Sequence, residues 1–153
     1  MSNESAGVQK VFTLEQANAT LPLVRAIVKD LMELSREVAE RRERLAHLLR
    51  GRRDLSPDDP YYAELVQIHD ELEKDGQRLQ DYVGELRQLG AEPKDGLQGL
   101  VDFPAMIDGR IVFLCWKLDE PQIQFWHELD AGFPGRQPLP KAAALASGRR
   151  PAV

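Results

Sequence analysis

Two long apolar stripes with helical spacing constrain this chain more than any other feature. Val24, Ile27, Val28, Leu31, Leu34, Val38, Leu45, Leu48 and Leu49 recur mostly three and four residues apart, which places them on one side of a helix. Tyr61, Leu65, Ile68, Leu72, Leu79, Tyr82, Val83, Leu86 and Leu89 form a second stripe, weakest at Asp75 and Gly76. At roughly 1.5 Å per residue each helix would be about 40 Å long. Gly51 ends the first. Ser56-Pro57-Asp58-Asp59 reads as N-cap, first-position proline and first-turn acids of the second, and Gly90 closes it. So short a connection makes the two antiparallel neighbours, a coiled-coil-like hairpin over residues 12–97. Two helices alone leave part of each stripe bare. Either the C-terminal segment covers the rest or a second copy does, and a homodimer forming a four-helix bundle is the economical expectation.

The hairpin has a clear start. Thr13 is a good N-cap and Gln16, three residues on, completes a capping box. Proline is poorly tolerated inside a helix, so Pro22 predicts a bend near Thr20-Leu21-Pro22 and a fresh start. Residues 98–139 read differently, as a small antiparallel sheet of about three strands with a Gly-rich loop. Leu100–Ile107 runs into Asp108-Gly109, a two-residue hairpin signal, and Arg110–Leu118 follows. The third strand is Ile123–His127. Pro104 cannot donate to a ladder, which predicts an edge position for the first strand. The class is therefore α+β, mainly α. Residues 1–11 form a polar lead and residues 140–153 an acid-free tail, both expected to be flexible.

Composition narrows the partners. The chain has 153 residues with 42 % hydrophobic and 29 % charged content, a balance that suits one globular domain. A net charge of −5 argues against bulk nucleic-acid affinity. The polar start lacks a signal-peptide pattern and no run approaches a membrane span, so a cytoplasmic protein with no membrane partner is expected. The single cysteine, Cys115, excludes an intrachain disulfide and fits a reducing compartment. Arg41, Arg42, Arg44, Arg50, Arg52 and Arg53 cluster at the hairpin tip, but Glu40, Glu43, Asp54, Asp58, Asp59 and Glu64 are interleaved with them. A solvated, ion-paired face accounts for this cluster, with RNA or the ribosome as the weaker alternative.

The sheet holds the residues that could carry chemistry. An Asp108-Gly109 turn sets Ile107 opposite Arg110 and Asp102 opposite Cys115, on one face. A two- or four-residue second turn sets Trp116 opposite Phe125 and His127 opposite Leu114, on the other face. A three-residue turn brings His127 to Cys115 instead, because a one-residue slip exchanges the faces. The first register is preferred, since it gathers Leu118, Trp116, Ile123 and Phe125 on one apolar side. Cys115 then reads as a small core residue and His127 as a hydrogen-bonded structural one. His47 and His69, among charged helix neighbours, read as structural. Arg136, in Gly132-Phe133-Pro134-Gly135-Arg136, could clamp an anion, or tie the loop to Glu120 or Asp130, which is preferred. A divalent metal is the one cofactor the donors would suit, with His127, Asp102 and Glu120 as ligands, joined by Glu128 or Asp130, although diagnostic metal spacing is missing.

Several segments together resemble an uncharacterised family of small prokaryotic proteins, catalogued as a domain of unknown function. They are Phe12-Thr13-Leu14-Glu15-Gln16-Ala17-Asn18 with Leu21-Pro22-Leu23-Val24, Gly99-Leu100-Val101-Asp102-Phe103-Pro104, Leu114-Cys115-Trp116, Trp126-His127-Glu128-Leu129-Asp130 and Gly132–Arg136. Asp119-Glu120 stands where that family usually has Gly-Glu, which keeps the acid. The resemblance implies a fold and no reaction. It points to Asp102, Cys115, Trp116, Glu120, His127 and Arg136 as signature positions. The first functional reading is a homodimeric binding or scaffold module. The alternative is a metal-dependent enzyme or small anionic-ligand binder with its polar site in the sheet.

Overall fold

The computed structural model describes residues 10–52 and 56–140. Most of the N-terminal lead, Arg53 and Asp54 of the tip, and the tail beyond residue 140 lie outside the described residues. Helix α1 spans Leu14–Leu49 and helix α2 spans Tyr62–Gln88. The capping box forms as expected: the Gln16 backbone N–H donates to Thr13 Oγ1 at 3.0 Å, and the Thr13 N–H donates to Gln16 Oε1 at 3.0 Å. Pro22 does not start a new helix but lies inside α1. An interior proline costs about 3 kcal/mol. The buried stripe Ala17, Leu21, Val24, Ile27 and Val28 runs straight through it and outweighs that cost.

Helix α2 begins at Tyr62, later than Ser56-Pro57 suggested. Pro60 explains the delay, because a residue preceding proline is pushed out of the helical region. Ser56–Tyr61 therefore forms turns, in which the Asp59 carboxylate accepts from the Tyr61 N–H at 2.8 Å. At the other end Gly90 takes φ 91°. The Ala91 N–H donates to Leu86 O and the Gly90 N–H to Arg87 O, the two bonds of a Schellman stop. A Cβ on Gly90 would meet the Phe12 ring at 2.8 Å.

Among the described residues the sheet has five strands, not three: β1 Glu92–Asp95, β2 Leu100–Ile107, β3 Arg110–Lys117, β4 Phe125–His127 and β5 Gln137–Pro138. Each pairs antiparallel with the next in chain order. Asp108 (φ 52°) and Gly109 (φ 79°) form the expected tight turn, with Ile107 opposite Arg110 and Asp102 opposite Cys115. Strand β2 is interior rather than an edge. β1 pairs only with Leu100–Asp102, and Phe12 forms a single bridge at Ala105, its N–H donating to Pro104 O at 2.8 Å. The donor that Pro104 lacks faces that same side, where no continuous ladder needs it.

Alternation gives the sheet two characters. Val101, Phe103, Leu114 and Trp116 share a face and join Ala17, Leu21, Val24, Ile27, Val28 and Leu86 in the main core. Asp102, Phe113, Cys115 and His127 belong to the opposite face, turned away from the helices. Among the described residues, no sheet lies behind the outer half of the hairpin. Leu48, Leu65 and Ile68 form its small separate cluster.

Candidate functional site

The register between β3 and β4 decides what the site contains. The preferred expectation, His127 opposite Leu114, is wrong: His127 pairs with Phe113, Leu114 with Trp126 and Cys115 with Phe125. The parity is that of the disfavoured alternative, so His127 shares the face of Asp102 and Cys115. The cause is the connection at residues 118–124, which is no tight turn. The Ile123 N–H donates to Asn18 Oδ1 at 2.8 Å, and its side chain enters the helical core instead of continuing the ladder. The Trp116 indole N–H donates to Glu120 O at 2.9 Å, and Arg25 reaches the Pro121 carbonyl at 3.1 Å. The loop is thus fastened to α1, and its inward residue sets the offset.

Asp102, Cys115 and His127 are all buried, and one donor atom from each lies within 4.8 Å of the others. His127 Nε2 is 3.1 Å from both Asp102 carboxylate oxygens. Its Nδ1 is 2.7 Å from the Glu128 backbone carbonyl. A carbonyl only accepts, so Nδ1 carries a proton. An unprotonated Nε2 facing an ionised carboxylate would set two buried acceptors against each other. One proton between Nε2 and the Asp102 carboxylate satisfies both groups.

Burial raises the Asp102 pKa against the pull of His127 and Lys94. It also pushes the Cys115 thiol up to about 12, with the Asp102 charge adding to the effect. Without a metal Cys115 is an inert thiol. The three groups line one wall of a cavity of about 410 Å³, a size typical of small-molecule sites. Phe113, Leu129, Phe133 and Pro134 supply its apolar wall and Lys94 its cation.

Glu120 and Arg136 stand apart from this group. Arg136 grips the Glu120 carboxylate with both terminal nitrogens at 2.9 Å, and Nη2 also reaches Cys115 O at 3.3 Å. Its guanidinium lies 3.9 Å from the Phe125 ring centroid and 4.7 Å from that of Phe133. Glu120 also accepts from the Lys117 N–H. The preferred expectation for Arg136, a tie between loop and Glu120, holds. Glu120 is consequently not placed as a partner of His127, and Cys115 takes that position. Glu128 pairs with Arg110 through its side chain, and Asp130 is exposed. Sequence reasoning missed Lys94 and Phe113. Pro93 masked the strand that presents Lys94, and Phe113 reads as ordinary apolar filling.

Fold and site together define an α+β helical-hairpin protein with a buried Asp–Cys–His group opening on a cavity. The chain belongs to DUF2203, a family of uncharacterised conserved proteins, whose model matches residues 10–139. No curated protein and no solved structure matches it. No helix among the described residues is long and apolar enough to cross a membrane.

Proposed function

We propose that this protein binds a divalent cation of the zinc class through Asp102, Cys115 and His127, and presents an open coordination position to the cavity. The supporting observation is the convergence of three buried donors of different type within 4.8 Å. Carboxylate, thiolate and imidazole suit a borderline-soft ion, and three protein ligands with a free side are the pattern of reactive rather than structural sites. The bond from Nδ1 to the Glu128 carbonyl is the kind that orients a metal-bound imidazole. Such an ion would polarise a bound ligand or activate water.

The test is elemental analysis of protein purified without chelator or histidine tag. Near-stoichiometric metal is expected, with loss in His127→Ala and in Cys115→Ser. Binding at pH 7 should also release about two protons per ion, one from the thiol and one held between His127 and Asp102. Calorimetry in buffers of different ionisation enthalpy counts them. Wild-type protein that neither retains nor takes up zinc would end this reading.

A second reading is a homodimeric binding or scaffold module. It is favoured by a groove of about 310 Å³ at the hairpin tip, lined by Leu45, Leu49, Leu65, Val66 and His69, where Leu49 and Val66 are exposed. Light scattering tests it: a dimer that Leu49→Glu converts to monomer supports it, and a wild-type monomer removes it. A cytoplasmic setting is supported by Cys115 being a lone free thiol.

A further inference from the structure

The charged groups on the cavity wall differ in how they are partnered. The inference drawn from them rests on the metal reading, because a divalent ion with Asp102 carboxylate, Cys115 thiolate and neutral His127 makes a centre of zero net charge. The other carboxylate on the wall, Asp95, keeps its charge, but its oxygens are committed to hydrogen bonds within its own turn. It accepts from the Leu97 N–H at 2.9 Å, the Gln98 N–H at 3.2 Å and the Gln98 side-chain amide at 3.1 Å. Lys94 makes no ion pair within 4.0 Å among the described residues, so its ammonium has no direct anionic partner on the cavity wall.

Phe113 joins this cation to the centre. The Lys94 ammonium lies 5.6 Å from the Phe113 ring centroid, and the His127 ring lies 5.5 Å from it on a tilted plane. A bound molecule thus meets a cation, an aromatic face and the open metal position in sequence. We propose that the site takes a small monocarboxylate with a planar apolar body, its carboxylate held by Lys94 and its body laid along Phe113. Lys94 is exposed and sits on a short strand, so it sets specificity without holding the fold.

Benzoate and its neutral analogue benzyl alcohol are the probes, titrated calorimetrically into zinc-loaded and chelator-treated protein. Benzoate should bind zinc-loaded protein about tenfold or more tightly than benzyl alcohol, the scale of one charge-assisted contact. Lys94→Gln should abolish that preference and Lys94→Arg should keep most of it. Equal binding of the two probes, no binding of benzoate to zinc-loaded protein, or an unaltered preference in Lys94→Gln would overturn the carboxylate assignment while leaving the metal reading intact. Failure to take up zinc, with a Lys94-dependent benzoate preference retained, would overturn the metal reading and keep the anion pocket.

Discussion

The two halves of the helical hairpin solve the same problem with different materials. Near the sheet, α1 and α2 bury their stripes against a third layer, and Trp116, Phe103, Val24 and Leu86 are fully enclosed. Towards the tip, among the described residues, the helices pack only on each other. There Asp75 sits buried in the α2 stripe and is paired with Arg41, which also reaches Glu71 at 3.3 Å. Arg44 pairs with Glu64 at 2.9 Å and Arg52 with Asp59 at 2.7 Å. Two helices cannot enclose a wide apolar seam, so charge pairs across the hairpin fix the register where packing is thin. The arginine-rich cluster is in this part an ion-paired surface. Its pairs run largely between elements rather than along one helix.

Hollowing out each half in turn should expose the difference in packing. Trp116→Ala removes the largest enclosed side chain and the indole bond to Glu120, and should cost about 3–5 kcal/mol. Leu65→Ala in the tip cluster should cost closer to 2 kcal/mol, because a thin, half-open cluster collapses more easily around a cavity. Urea denaturation with tryptophan-independent detection, such as far-ultraviolet circular dichroism, compares them. Equal losses would show that the halves are equally well packed.

The same contrast explains what could be read from the sequence. Helix periodicity, the Thr13 cap, Gly90 and the Asp108-Gly109 turn are local signals, and each is found where the residues place it. The Asp102–Cys115 pairing followed from that turn alone. His127 did not, because its register depends on Asn18 and Ile123, which are 105 residues apart in the chain. Pro22 misled because local propensity is overridden by a stripe that packs on both sides of it. Strand β1 escaped notice because Glu92-Pro93-Lys94-Asp95 has little strand character and pairs only because β2 is already in place. The site was therefore half legible: two of its three donors came from a local turn, and the third from tertiary packing.

A gentler test addresses the tip's charge pairs. Arg41→Ala leaves the Asp75 carboxylate buried without its main partner, and should cost about 1–2 kcal/mol, reduced by the partial exposure of Arg41. Replacing both partners, Arg41→Leu with Asp75→Leu, should be near neutral or stabilising, since the apolar pair completes the stripe. If the double variant loses as much as the single, the pair supplies net stability and not only register.

The smallest effect belongs to the sheet half and concerns Cys115 in chelator-treated protein. Its thiol titrates near 9.0 in an unfolded chain and is pushed up to about 12 by burial and by Asp102. A raised acid pKa means that the folded protein holds its proton more tightly than the unfolded chain. The resulting stability is complete below the unfolded value and is lost as pH rises towards the folded one. Between pH 9 and 10 this loss should be about 1 kcal/mol. Lysines and tyrosines titrate over the same range, so the difference in unfolding free energy between wild type and Cys115→Ala, taken at each pH, isolates the thiol. A gap that stays flat across the interval would mean that water reaches Cys115. The buried face would then be wetter than its geometry implies, and the contrast between an enclosed sheet half and an open tip would weaken accordingly.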